Sequence, residues 1–194
     1  MAGQAVNQTH AHHHAVQFYG SDAELFRTVG TFLTEGLVAG HPAIVIATPD
    51  HRAGILQTLA ADLIDVPGAL RAGDLVVLDA EDTLGILMRG AMPDQRSFHR
   101  TLGDLIEQTL RGRARTPVRA YGEMVDLLWR RGQADAAIRL EVLWNELAST
   151  RTFSLLCGYA IGNFYKQTSK VEEICRQHTH VFGDSIPLGS PAHP

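Results

Sequence analysis

The chain contains little cysteine and no long apolar run. Its two cysteines, Cys157 and Cys175, are too few for a disulfide scaffold, and both lie in apolar segments, as is usual in a reducing compartment. No apolar run approaches the length of a membrane span, and the N-terminus lacks the apolar core of a signal peptide. These absences argue against a disulfide-rich secreted domain and a membrane-spanning protein, so we expect a cytoplasmic protein.

Positive charge is also scarce. The 194 residues carry a formal net charge of −4 with neutral histidines, whereas nucleic-acid-binding domains normally present a basic patch. The densest basic segment, Arg111–Arg115, lies between a predicted helix and a predicted strand and is interpreted as a solvated loop. We therefore predict no direct contact with nucleic acid.

The motifs of common hydrolases and nucleotide-binding proteins are missing. The sequence has no Gly-x-Ser-x-Gly elbow, no His-Glu-x-x-His helix and no Gly-rich phosphate loop with its lysine. We therefore predict a protein without catalytic residues and without a cofactor.

What is present is the pattern of an α/β domain. Hydrophobic residues form 45% of the chain, enough for one core. Short β-branched runs alternate with segments that are apolar at helical period, which predicts a three-layer α/β fold with a mainly parallel sheet flanked by helices. The domain is expected to span residues 14–182, between a disordered tail at 1–13 and a mobile tail at 183–194. The predicted strands are Ala15–Tyr19, Pro42–Ala47, Leu75–Leu78, Pro117–Tyr121 and Phe153–Tyr159.

The strand at Pro42–Ala47 is followed at once by the turn Thr48–Arg52. A nucleotide-binding α/β fold would place its phosphate loop just after such a strand. Here the turn reads Thr-Pro-Asp-His-Arg, with neither glycine nor lysine. The sequence thus predicts a nucleotide-binding type of architecture without its phosphate grip, and this mismatch favours recognition of another kind of ligand.

Polar residues follow the carboxyl ends of several predicted strands, where ligands of parallel sheets gather. Asp50, Asp79 and Asp82 are interpreted as helix caps. Glu123 differs, because it follows a glycine at a strand end and precedes the apolar pair Met124–Val125. We predict that Glu123 is partly enclosed and contacts a ligand.

Trp144 lies between Glu141 and Asn145 on a predicted helix, and two interpretations stay open. In the first interpretation, Trp144 forms an apolar wall of the ligand site, and Glu141 and Asn145 form a polar patch over that site. In the second, Trp144 belongs to the core and Glu141 is exposed. The predicted ligand-binding residues are His14, Phe18, Tyr19, Thr48, His51, Arg52, Glu123, Trp144, Asn145 and Tyr159.

Three residues near the C-terminus are weak metal-ligand candidates. Cys175 precedes His178 by one helical turn, a spacing that lets both side chains face one ion, and His180 follows. No second pair of ligands occurs at a typical spacing, and Cys175 also fits the apolar face of its helix. We therefore predict no metal site.

Several short segments occur in a fixed order along the chain. They are His14–Tyr19, Ile46–Arg52, Leu78–Ala80, Tyr121–Val125, Leu140–Asn145, Phe153–Tyr159 and Ile174–Val181. Together they closely resemble the MEDS domain (methanogen/methylotroph, DcmR sensory domain), and the resemblance runs from His14 to Phe182.

The resemblance implies a sensory module of bacterial and archaeal signalling proteins. One relative is a repressor that responds to dichloromethane, so the implied ligands are small hydrocarbon derivatives. The resemblance also implies a divergent KaiC/RecA-like fold without a Walker A motif. Because this chain has no output domain, we expect the signal to pass to a partner protein of the histidine kinase, anti-sigma or regulator type, or through self-association as a homodimer.

Three hypotheses remain open at this point. The first is a stand-alone sensor that binds a small molecule without catalysis. The second is a nucleotide-binding or ATPase-like protein with a rebuilt phosphate site, in which Glu123 is a base or magnesium ligand and Arg52 or Arg119 contacts phosphate. The third is a protein-interaction scaffold without a ligand pocket.

Overall fold

The computed structural model describes residues 13–110, 112–113, 116–164 and 168–182. The predicted tails lie outside these residues, except that His13 is already the first residue of a strand. Most of the basic segment Arg111–Arg115 also lies outside them.

The described residues contain one large sheet and one short hairpin. The sheet strands are β1 (His13–Tyr19), β2 (Ala43–Ala47), β3 (Leu75–Asp79), β6 (Val118–Gly122), β7 (Phe153–Ala160) and β8 (His180–Phe182); β4 (Met88–Arg89) and β5 (Met92–Pro93) form the hairpin. The six-stranded sheet has the order β3-β2-β6-β7-β1-β8. Every neighbouring pair in it is parallel.

Helices connect these strands. They are α1 (Asp22–Val38), α2 (Pro49–Ala61), α3 (Val66–Ala72), α4 (Ala80–Leu87), α5 (Gln95–Phe98), α6 (Asp104–Thr109), α7 (Met124–Arg130), α8 (Ala134–Ala148) and α9 (Thr168–Gln177). A π-helical turn at His99–Gly103 joins α5 to α6, and a 3-10 turn at Ile161–Asn163 follows β7.

Local sequence explains how the first two units form. All residues of β2 are buried, because this inner strand is covered on both faces and reads Ala-Ile-Val-Ile-Ala. Thr48 is extended, and Pro49 at the first helical position starts α2 directly after it. Ser21 caps α1 by accepting a hydrogen bond from the backbone amide of Glu24 at 3.3 Å.

The sheet is the middle of three layers. Successive side chains of a strand point to opposite faces, so Ala15 and Tyr19 of β1 pack in the layer of α1 and α2. Val16 and Phe18 pack in the opposite layer, which contains α4 to α9. The prediction of a three-layer α/β fold is confirmed, and the sheet is entirely parallel.

Three elements differ from the prediction. Strand β8 was not predicted, because its three residues are exposed and carry no alternating pattern. The hairpin of β4 and β5 is too short to leave a sequence signal. Apolar residues at helical period from Phe98 to Leu110 predict one helix that begins at Pro93, and the π-helical turn interrupts it.

Among the described residues, no single helix is long and apolar enough to cross a membrane. Only the pair α2 and α3, bent by 111°, meets that criterion of length and composition when its two helices are combined.

Candidate functional site

The neighbouring strands β2 and β6 form a switch point in the sheet. The chain leaves β2 toward β3, whereas it leaves β6 in the opposite direction toward β7. Helices α2 and α7 accordingly lie on opposite faces. In open α/β sheets, the crevice beyond the carboxyl ends of two such strands is the usual place for a ligand. We call it the β2–β6 crevice.

The carboxylate of Glu123 lies in the β2–β6 crevice. Glu123 follows β6 directly, and only 2% of its surface is exposed. Its Oε1 accepts a hydrogen bond from the backbone amide of Thr48 at 2.5 Å. Its Oε2 lies 2.5 Å from Nδ1 of His51 and accepts a bond from the Tyr121 hydroxyl at 3.0 Å. These bonds explain the predicted enclosure of Glu123, because its carboxylate accepts hydrogen bonds from residues at the start of α2.

Glu123 and His51 form a buried ion pair. Burial alone would raise the pKa of Glu123, but the hydrogen bond and charge of His51, together with the Thr48 amide, lower it below its usual value. The hydrogen bond to Glu123 raises the pKa of His51 despite its burial. Asp22 at the start of α1 adds to this, since its Oδ1 lies 3.4 Å from Nε2 of His51. Both shifts favour the charged form of the pair, which connects α1, α2 and β6.

A second buried carboxylate, Asp126, lies beside the crevice and was missed by sequence reasoning. Its Oδ2 is 2.6 Å from Nε of Arg130, and Arg130 donates a hydrogen bond to the Tyr19 hydroxyl at 3.2 Å. Its Oδ1 accepts from the backbone amide of Ala160 and the side chain of Asn163, each at 3.1 Å. Burial raises the pKa of Asp126. An aspartate within the apolar run Met-Val-Asp-Leu-Leu-Trp was the available signal.

Arg52, which was predicted to contact a ligand, forms an ion pair within the protein. Its Nη2 lies 2.9 Å from Oδ2 of Asp79, the residue after which α4 begins. Asp79 also caps α4 by accepting hydrogen bonds from the amides of Glu81 and Asp82. His51, Arg52 and Glu123, which were expected to contact a ligand at this edge, therefore bond to other groups of the protein.

Three other residues predicted to bind a ligand lie around Glu141, on the face of the sheet that α4 to α9 cover. His14 Nε2 is 3.2 Å from Oε2 of Glu141, and the Tyr159 hydroxyl donates to Oε1 at 3.0 Å. His14 Nδ1 is 2.8 Å from Oδ1 of Asn145. Glu141 has no exposed surface, so of the two interpretations of the α8 polar patch, exposure of Glu141 is wrong.

Cys157 and His178 complete this second cluster. The Cys157 thiol lies 3.4 Å from Oε2 of Glu141, and Nε2 of His178 lies 3.4 Å from its Oε1. Burial would raise the pKa of Glu141, but the two histidines lower it strongly. Sequence reasoning missed Cys157, because it lies inside an apolar strand far along the chain from its partners. Of the weak metal candidates, His178 belongs to this cluster, whereas Cys175 packs against the core and His180 stacks on His13.

The two remaining predicted ligand residues pack in the core. Phe18 contacts the rings of Tyr159 and Phe164, with ring centroids 5.9 and 5.3 Å away. Trp144 lies edge-on to Phe98 at 5.0 Å. The ten predicted ligand residues thus divide among the β2–β6 crevice, the Glu141 cluster and the core.

A cavity of about 580 Å³ lies beside α1, on the face of the sheet that α1 covers. We call it the α1 cavity. Five of its residues recur along one side of α1, at Arg27, Thr28, Thr31, Phe32 and Glu35. The strands contribute His13, Ala15, Arg119, Ser154, Leu155, Leu156, His180 and Phe182. None of these residues belongs to the ten predicted ligand-binding residues. Arg119 was named only in the nucleotide hypothesis, as a phosphate contact, and the structure places it in this cavity instead of beside Glu123.

Comparison with known proteins identifies the family. No curated protein matches the chain significantly. The sequence model of the family MEDS, "MEthanogen/methylotroph, DcmR Sensory domain", matches residues 13–179, from the first residue of β1 to the residue before β8. The match covers most of the chain and includes both polar clusters. This protein therefore belongs to the MEDS family of sensory domains.

Proposed function

We propose that this chain is a non-catalytic sensor that binds a small organic molecule in the α1 cavity and passes the signal to a partner protein. Membership of a sensory family supports the general role. The α1 cavity supports the proposed location of the binding site, because its volume of about 580 Å³ lies within the range of small-molecule sites. This cavity is the observation that carries the proposal.

The lining of the α1 cavity suggests the chemistry of the ligand. Ala15, Leu156 and Phe32 offer apolar contact, while Arg27 and Arg119 bring positive charge. The guanidinium carbon of Arg119 lies 4.9 Å from the centre of the Phe32 ring, which holds that charge over an apolar surface. A small apolar molecule with one polar or anionic group fits this combination. Hydrocarbon derivatives of that kind are the proposed ligand class.

Helix α1 offers a route from the cavity to the β2–β6 crevice. Its first residue, Asp22, lies 3.4 Å from His51, which pairs with Glu123. In its middle, Thr28 accepts a hydrogen bond from Gln17 of β1 at 2.9 Å. A ligand that favours one position of α1 would therefore change the population of crevice arrangements. A signalling partner, of the histidine kinase, anti-sigma or regulator type, would read that change.

The nucleotide alternative is less well supported. A phosphate at the start of α2 needs free backbone amides, but the Thr48 amide already bonds to Glu123. Glu123 is also held by His51 and Tyr121, which leaves it poorly placed as a magnesium ligand. The proposed sensor therefore uses a site other than the phosphate position.

Thermal melting with a panel of small alcohols, ketones, halogenated hydrocarbons and short carboxylic acids tests the proposal. At least one compound should raise the melting temperature in a saturable way. Thr31→Trp, at an exposed position that lines the cavity, should abolish that shift, whereas Ala23→Trp, at an exposed position of α1 outside the lining, should preserve it. If no compound in the panel stabilises the protein, or if Thr31→Trp leaves the shift unchanged, the α1 cavity is not the sensor site, and the scaffold hypothesis gains support.

A further inference from the structure

Four metal-binding side chains from separate parts of the fold converge in the Glu141 cluster. His14 comes from β1, Glu141 from α8, Cys157 from β7 and His178 from the segment after α9. One nitrogen, oxygen or sulfur atom from each lies within 4.8 Å of the corresponding atom of every other. We propose that these four residues form a zinc site that fastens β1, β7, α8 and the end of α9 together.

Four distances within the cluster match those between ligands of a tetrahedral ion, and the largest separation of the four ligand atoms is within 4.8 Å. His14 Nε2 lies 3.2 Å from Glu141 Oε2 and 3.4 Å from the Cys157 sulfur. The sulfur is 3.4 Å from the same carboxylate oxygen, and His178 Nε2 is 3.4 Å from the other. Ligand atoms around tetrahedral zinc, with bonds of about 2.0–2.3 Å, are about 3.3–3.6 Å apart.

Outer partners orient both imidazoles toward the proposed ion. Asn145 donates its amide to the carbonyl oxygen of Gln177 at 2.9 Å, so its Oδ1 faces His14 and accepts the Nδ1 proton at 2.8 Å. Nδ1 of His178 donates a hydrogen bond to the carbonyl oxygen of Ile174 at 2.7 Å. Each histidine therefore turns Nε2 toward the cluster, as zinc-ligating histidines do when a second partner holds the other nitrogen.

The burial of the four side chains also favours a bound cation. Glu141 has no exposed surface, and His14 and Cys157 are 3% and 1% exposed. Nε2 of His178 is buried, and Oε1 of Glu141 lies 3.4 Å away but outside hydrogen-bond geometry, so this nitrogen has no hydrogen-bond partner among the described residues. A buried polar group without a partner is costly. A dication would neutralise the Glu141 carboxylate and a Cys157 thiolate, and it would bond to both Nε2 atoms.

The ligand set and its enclosure select the ion. One thiolate, two imidazoles and one carboxylate suit zinc, whereas magnesium and calcium prefer oxygen ligands. Four protein ligands in a closed site are typical of a structural ion, which is taken up on folding because it binds the folded arrangement. Zinc binding at the Glu141 cluster does not require a ligand in the α1 cavity.

Refolding of the full chain after removal of metal tests the zinc site. The protein is unfolded in denaturant with a chelator, then refolded with zinc, with cobalt or with magnesium. We expect about one zinc ion per chain and a higher melting temperature than with magnesium. Cobalt should give the visible absorption of a tetrahedral cobalt–thiolate centre. A chain that refolds without retaining zinc, or a cobalt complex without the thiolate band, would overturn the proposal.

Two cysteine variants locate the site. Cys157→Ser should lose the thiolate band, whereas Cys175→Ser, which removes the other thiol, should keep it. If Cys157→Ser does not fold, Asn145→Ala provides the second test, because it removes an outer partner and no ligand. It should weaken zinc affinity about 10–100-fold in competition with a chelator. Unchanged affinity in Asn145→Ala, or loss of the band in Cys175→Ser, would contradict the assignment.

Discussion

The backbone amide of Thr48 donates a hydrogen bond to the carboxylate of Glu123, across the crevice between β2 and β6. This contact puts an internal anion at the start of α2, where a phosphate-binding fold of this architecture would bind its ligand. The neighbouring His51 compensates the charge. One carboxylate therefore accepts the Thr48 amide at the start of α2 and pairs with His51.

The first prediction follows from this contact. The wild-type protein should show no saturable binding of ATP with magnesium in equilibrium dialysis, because the Thr48 amide and the Glu123 carboxylate are already bonded to each other. Inorganic phosphate should also fail to raise the melting temperature. Saturable ATP binding that Arg52→Ala weakens would favour the rebuilt phosphate site instead.

Removing the charge of Glu123 should destabilise the fold. In Glu123→Gln the side chain keeps its size, but its single oxygen cannot accept hydrogen bonds both from the Thr48 amide on one side and from His51 and Tyr121 on the other, because the NH2 group only donates. Breaking a buried ion pair from one side costs about 3–5 kcal/mol of unfolding free energy. Urea denaturation measures this loss. Asp50→Asn, at an exposed position in the first turn of α2, is the control and should change stability by less than about 0.5 kcal/mol.

The Glu123–His51 pair predicts that the free energy of unfolding depends on pH and falls toward both lower and higher pH. Folding lowers the pKa of Glu123, so its contribution is present above the unfolded value of about 4.3 and is lost as pH falls through the folded pKa. Folding raises the pKa of His51, so its contribution is present below about 6.5 and is lost as pH rises through the folded pKa. The pair stabilises most between these two values.

The test compares wild type with His51→Gln by urea denaturation across the pH range. The difference in unfolding free energy should be largest, at about 1.5–3 kcal/mol, in the weakly acidic window and should shrink on both sides. His99→Gln, at a histidine without a carboxylate partner among the described residues, is the matched control. A flat difference curve for His51→Gln would show that its charge does not stabilise the fold.

Two helical glycines should respond to alanine in opposite ways. A Cβ at Gly54 of α2 would overlap the ring of Phe26 in α1, which also packs against His51, so Gly54→Ala should destabilise the protein by about 1–3 kcal/mol. A Cβ at Gly85 of α4 meets no described atom within 4 Å, so Gly85→Ala should stabilise by about 0.5–1 kcal/mol through helix propensity. Thermal or urea unfolding checks both values. Equal effects would mean that α1 and α2 do not pack closely at Gly54.

The sequence supports prediction of the fold better than that of the sites. The β-branched run of β2 and the helical periods identify inner strands and helices, because burial dictates those residues locally. Glu123 could be singled out, since a glycine and a glutamate end a buried strand. The partners of Glu141 could not, because His14 and Cys157 approach it only through strand pairing and crossovers. The α1 cavity depends on how one side of a helix lies over the sheet, which periodicity does not specify.

Amide chemical-shift mapping on the isotopically labelled protein, titrated with the small-molecule panel, tests the central claim most directly. We predict that the binding compounds perturb amides around the α1 cavity, such as Thr31, Phe32 and Leu156, in a saturable way. Smaller shifts should follow at His51 through α1. Compounds that instead perturb Thr48–Arg52 first and most strongly, or a panel without a saturable binder, would contradict the account.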